Sequence, residues 1–176
     1  MKDKIKPTIV LTVICTAAAL LLVLAYEMTK DRIAEQRSLK FNKSVETLFG
    51  ECETTIIDNN FGYDEIQQIA VTSDGKTVIQ VCTDGYSKGG INILVGIDEK
   101  GVLTGISFIS LGETPGLGSN VKDDKSFVKK NFIGITEAPE EIDSISGATY
   151  SSNGMKKAVE IAMNVYNENK EEILGG

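Results

Sequence analysis

Histidine and tryptophan are both missing from this chain of 176 residues, and proline occurs only three times. Without histidine there is no Ser–His–Asp triad, no imidazole metal site and no imidazole proton shuttle. Cysteine is scarce too. Cys15, Cys52 and Cys82 stand far apart and make no C-x-x-C pair, which argues against zinc and iron–sulfur sites. Positive charge is outnumbered, with a net charge of −7 and no basic cluster. Nucleic acid is therefore not an expected partner, since phosphate neutralisation needs Lys and Arg. An electron-transfer role would need a cofactor held by something other than Cys or His.

What the chain does have begins near its start. Pro7 to Tyr26 carries no charge and is rich in Leu, Val, Ile and Ala. Such a run reaches about 30 Å as a helix, the thickness of a bilayer core. Lys2, Lys4 and Lys6 precede it, so the positive-inside rule expects the N-terminus in the cytoplasm and the rest outside. The run is long for a signal peptide and lacks an A-x-A site, so an uncleaved single-pass anchor is expected. Membrane lipid is then a partner.

The spacing of Ile33, Leu39 or Lys40, Val45 and Leu48 predicts an amphipathic helix from Met28 to Phe49, stopped by Gly50. It either continues the anchor as a stalk or docks on the domain. Glu51 to Tyr63 reads as irregular. Gln68–Thr72 and Thr77–Thr83 read as strands of a hairpin around Asp74-Gly75, and Ile91–Ile97 and Val102–Ile109 as a second pair. A short helix is expected over Lys125–Phe132. A longer one is expected from about Ser152 to Ile173, with Met155, Val159, Ala162 or Met163 and Tyr166 facing the sheet. The fold class is α+β: one transmembrane helix, then an antiparallel sheet with packed helices. The expected divisions are 1–27 as cytoplasmic N-terminus and anchor, 28–63 as helical stalk and connector, and 64–176 as extracytoplasmic domain.

Three stretches could carry chemistry. Gly112-Glu113-Thr114-Pro115-Gly116-Leu117-Gly118 follows the fourth strand as a stiff loop with exposed backbone N–H groups, suited to a planar ring or an anion. Gly85-Tyr86 and Gly89-Gly90 form a second flexible loop. Asp143-Ser144-Ile145-Ser146-Gly147-Ala148-Thr149 runs into the last helix, where free N–H groups favour an anion. The plainer reading makes each a turn, with Ser151 or Ser152 as a helix N-cap. Cys52 and Cys82 would lie outside the membrane, where a disulfide is permitted but not required.

Two of these stretches resemble the signatures of the covalent FMN-binding domain family. Asp143 to Thr149 is similar to its flavinylation pattern Asp-x-x-(Ser/Thr)-Gly-Ala-(Thr/Ser), and Glu113 to Gly118 is similar to its Glu-Thr-Pro-Gly-Leu-Gly loop. With one anchor and this length, the chain resembles the G subunits of Rnf electron-transport complexes. The resemblance implies FMN joined through its phosphate to the Thr149 hydroxyl and installed from FAD by a separate flavin transferase. Asp143, Ser146, Gly147 and Ala148 would serve that enzyme and seat the phosphate. Glu113, Thr114, Gly116, Leu117 and Gly118 would border the flavin, as would Gly85 and Tyr86. It further implies an electron-transfer subunit of an ion-translocating oxidoreductase, partnered by the other Rnf subunits, with neither a metal nor catalytic residues of its own. Many relatives carry His where this chain has Leu111. Lys122 and Lys125 are close enough in sequence to tune the ring. The alternatives are the C subunit of the sodium-pumping NADH:quinone reductase and a non-covalent module for a phosphate-bearing ligand.

Overall fold

The computed structural model describes residues 2–175, with side chains described from Pro7 onward. Helix α1 spans Lys2–Phe49. From Pro7 to Lys40 it exposes its side chains all round, Leu21, Leu22 and Met28 among them. It is long and apolar enough to cross a membrane. The hydroxyls of Thr12 and Thr16 donate back to the carbonyls of Thr8 and Thr12 at 2.9 and 2.8 Å. Polar groups in a bilayer core need such internal partners.

The chain divides at Lys40 into two compact units, so the last turns of α1 belong to the globular one. There Phe41 and Val45 are buried against Ala70, Val78 and Leu94, with Leu48 and Phe49 beside them. The expected stripe is only partly used: Val45 and Leu48 pack, whereas Ile33 and Leu39 stay exposed and Phe41 supplies the main contact. Gly50 ends the helix with φ +80, a backbone conformation that favours glycine.

The sheet has five antiparallel strands in sequential order: β1 Thr54–Ile57, β2 Ile66–Thr72, β3 Thr77–Thr83, β4 Ile91–Ile97 and β5 Leu103–Leu111. Strand β1 lies in the stretch expected to be irregular. It is a four-residue edge strand, pairing Thr54–Ile57 with Thr72–Ile69. The β2–β3 turn is the expected Asp74-Gly75 hairpin, with Gly75 at φ +76. Between β4 and β5 the Asp98 carboxylate accepts from the N–H groups of Lys100 and Val102, closing the turn.

Helices α2 Asn120–Asp123 and α3 Lys125–Asn131 follow, then α4 Thr149–Glu168 and α5 Lys170–Gly175. The end of α1 covers one face of the sheet. Helix α4 covers the other, with Met155, Val159, Ala162, Met163 and Tyr166 buried against Ile79, Val81, Ile93 and Val95. This is why β4 reads as an almost unbroken apolar run: both of its faces are inside. Each fully buried large aliphatic side chain contributes about 1.5–3 kcal/mol. The sandwich therefore fixes α4, and with it the opening of the site.

Candidate functional site

The site is built around one buried carboxylate. Glu113 lies just past β5, only 7% exposed. It accepts hydrogen bonds from the N–H groups of Tyr86 and Ser87 at 3.1 and 3.0 Å, and one from the Ser151 hydroxyl. A buried carboxylate is tolerated only when donors replace its water. Here the donors come from the β3–β4 loop and the first turn of α4, so Glu113 ties three separate segments together.

Small residues make that approach possible. A Cβ on Gly85 would come 2.7 Å from Glu113 Oε1, and one on Gly118 would come 2.6 Å from Oε2 and 2.5 Å from Ser151 Oγ. Gly154 does the same between α4 and the β3–β4 loop, where a Cβ would sit 2.6 Å from Ile91 Cδ1 and 3.1 Å from the Gly85 Cα. Its carbonyl accepts a hydrogen bond from Thr83 Oγ1 at 2.9 Å. Neither Gly154 nor the Ser151 bond was anticipated from the sequence, although a glycine inside a helical pattern is a signal of close packing.

Beside Glu113 opens a cavity of about 320 Å³, lined by Tyr86, Glu113, Thr114, Leu117, Gly118 and Gly147 to Ser151. Both signature stretches thus meet at one hollow. Its volume falls within the roughly 300–1,000 Å³ common for cofactor pockets. Tyr86 and Tyr150 stand on its rim, both exposed, their rings edge to face with centroids 6.4 Å apart.

The start of α4 opens into this cavity. The helix begins at Thr149, with Ala148 flanking it and no side-chain cap. Its first internal bond runs from Ser152 N–H to the Ala148 carbonyl, so the N–H groups of Thr149, Tyr150 and Ser151 stand ahead of the ladder. Ser151 and Ser152 are therefore inside the helix and neither is its cap. Ser151 is committed to Glu113, and Ser152 Oγ accepts from the Ile145 N–H at 3.1 Å. The Thr149 side chain is exposed. An uncapped helix start, adjacent small residues and aromatic rims fit a flavin carrying a phosphate.

Not every residue singled out in the sequence is at the hollow. Gly85 packs on Glu113 rather than lining the cavity, and Gly116 shapes the turn at φ +74. Asp143 and Ser146 face another depression, beside α3. There Asp143 is paired with Lys130, which raises the lysine's pKa, chiefly through their hydrogen bond. Lys122 and Lys125 are away from the hollow, along a groove beside β5. Leu111 packs partly buried against the core on the α4 side of the sheet. Cys52 and Cys82 are free thiols, and burial pushes the Cys82 thiol up.

Residues 85–164 match the family described as FMN-binding domain, a span that opens at the Tyr86 loop and closes within α4. Over 197 aligned residues, 96% of this chain and 93% of the relative, the sequence is 28% identical to the G subunit of an ion-translocating oxidoreductase complex from Aliivibrio fischeri. It is 37% identical over 102 residues to the G subunit of the Na(+)-translocating ferredoxin:NAD(+) oxidoreductase complex of Acetobacterium woodii, covering 52% of this chain and 49% of that one. This chain is similar to G subunits of ion-translocating oxidoreductase complexes along nearly its whole length. The corresponding protein of Shewanella amazonensis is 27% identical over 90% of this chain and 85% of its own length, so the likeness includes the N-terminal helix. The chain thus joins one long apolar helix to a region that matches the FMN-binding domain.

Proposed function

We propose that this chain is a membrane-anchored flavoprotein subunit that relays electrons within a complex coupling ferredoxin:NAD electron transfer to ion movement across the membrane. The observation that carries this is that Glu113, Thr114, Leu117 and Gly118 of one signature stretch and Gly147 to Thr149 of the other line one cavity under an uncapped helix start. The names of the relatives in Aliivibrio fischeri and Acetobacterium woodii point to the same kind of assembly.

When bound, FMN supplies the redox chemistry. The chain's own residues hold and orient it. The N–H groups ahead of Ser152 and the positive end of α4 attract its phosphate. Gly147 and Ala148 let that group approach the backbone, and Thr114, Leu117, Tyr86 and Tyr150 border the rest. Glu113 sits behind them as a positioning residue.

The Thr149 hydroxyl is the proposed point of covalent attachment. A flavin transferase would supply FMN from FAD. A bond forms between Thr149 Oγ1 and the FMN phosphorus, the phosphoanhydride bond breaks, AMP leaves, and the hydroxyl proton passes to solvent. Asp143 and Ser146, exposed and outside the cavity, are assigned to recognition by that enzyme. Of the expected divisions, 1–27 is kept as cytoplasmic N-terminus and anchor, while the proposed extracytoplasmic domain takes in the unit that starts at Phe41, β1 included. An ester suits that side of the membrane, where a dissociating cofactor would be diluted away.

Two measurements test this reading. Full-length protein from its native membrane, denatured and run on a gel, is expected to give a fluorescent flavin band at its own position; flavin lost on denaturation contradicts attachment. A reporter that works only in the cytoplasm, fused after Gly176, is expected to stay inactive. Activity there overturns the topology.

A further inference from the structure

The two edges of the sheet are treated differently. Strand β1 is four residues long, and brevity is a common protection for an edge. Strand β5 is nine residues long, Leu-Thr-Gly-Ile-Ser-Phe-Ile-Ser-Leu, with no charge and no proline to discourage pairing. It pairs with β4 on one side only. On the other side only its start is engaged: Leu103 N–H donates to the Ile135 carbonyl, and Gly134 N–H donates to the Leu103 carbonyl.

Along the rest of that edge runs a groove of about 690 Å³. Its floor is apolar and spans both faces of the strand. Leu48 borders it near Gly105 on one face, and Ile106 and Phe108 pack towards the α4 side. Its rim carries Lys122, Lys125 and Lys129. Among the described residues none of these three forms an ion pair with a carboxylate. In a chain of net charge −7, the fold gathers lysines here.

We infer that the β5 edge is a docking site for an extended, acidic and apolar segment of another polypeptide, which adds to the sheet as a sixth strand. Backbone hydrogen bonds to the unpaired side of β5 give the attachment. Alternate apolar side chains fill the floor on the two faces, and carboxylates meet the three lysines. A second copy of this chain fits poorly, because it would bring the same lysines against each other. The inference rests on the multi-subunit reading above only for the source of the partner.

Hydrogen exchange on the detergent-extracted complex, set against the full-length chain purified alone, tests it. Among the amides of Gly105 to Ile109, those that face away from β4 are expected to exchange about tenfold or more slowly in the complex. Charge reversal at all three lysines (K122E, K125E and K129E) is expected to abolish that protection and cut the co-purifying share of this chain about tenfold, with flavin content unchanged. Equal exchange in the two samples overturns the inference. So does protection of the isolated chain that fades on dilution, which means a second copy, or protection given by anionic lipid vesicles alone, which means a membrane surface. Should the chain leave the membrane with no other subunit, the multi-subunit reading fails together with this one. Unchanged exchange within a recovered complex sinks the docking alone.

Discussion

The carboxylate of Glu113 and the hydroxyl of Ser151, separated by 38 residues, are hydrogen-bonded to each other inside the protein. That bond joins the loop after β5 to the first turn of α4, two positions beyond Thr149. Replacing Glu113 with Ala would strand the Ser151 hydroxyl and the N–H groups of Tyr86 and Ser87. The expected loss is about 2–4 kcal/mol of stability, read by chemical denaturation, together with loss of bound flavin. Ser151→Ala removes one donor of the three and is expected to cost about 1 kcal/mol. Equal stability of the Glu113→Ala protein would mean that the carboxylate does not organise the site.

Gly116 and Gly118 lie two residues apart but are held for different reasons. At Gly116 a Cβ meets nothing within 4 Å, and only the positive φ is at stake. Gly116→Ala is therefore expected to cost about 1–2 kcal/mol and leave flavin content near normal. At Gly118 the Cβ would push into Glu113 and Ser151. Gly118→Ala is expected to lose flavin, measured as absorbance per protein. The reverse ranking of the two variants would contradict the packing described.

The pair formed by Glu65 and Lys157, with Nζ 2.9 Å from the carboxylate, links β2's approach to α4. Its hydrogen bond from Lys157 lowers the Glu65 pKa below the usual 4.5. A depressed carboxylate pKa gives stability that is present above the unfolded value and lost as pH falls through the folded one. The window is thus below pH 4.5. Both side chains are solvated, so the pair is worth no more than about 0.5 kcal/mol. Lys157→Ala is expected to be slightly less stable than wild type near neutrality and equal to it once Glu65 is protonated. A gap that widens in acid would contradict this assignment.

The sequence disclosed most where a signal is local. The turn at Asp74-Gly75, the apolar run of β4 and the stripe on α4 each follow from neighbouring residues, and each stands where expected. Strand β1 was not legible, because Thr-Thr-Ile-Ile owes its form to pairing with β2 rather than to a pattern of its own. Helix α2, at four residues, is too short to carry a period. The start of α4 was misplaced by three residues for a tertiary reason: Ser151 and Ser152 resemble caps, but Glu113 and the Ile145 N–H engage them from elsewhere in the chain. The two signature stretches were readable as motifs. That Asp143 and Ser146 lie apart from the cavity that Gly147 to Thr149 line is settled only by the path of the chain past α3.

The role assigned to Thr149 is tested most directly by intact mass under denaturing conditions, for protein made in cells that hold the flavin transferase. Wild-type chain is expected to exceed its sequence mass by one FMN less one water. Thr149→Ser, which keeps a hydroxyl at the helix start, is expected to show the same excess, and Thr149→Ala none. A wild-type chain at its bare sequence mass, or an Ala variant that still carries the added mass, would contradict attachment at Thr149.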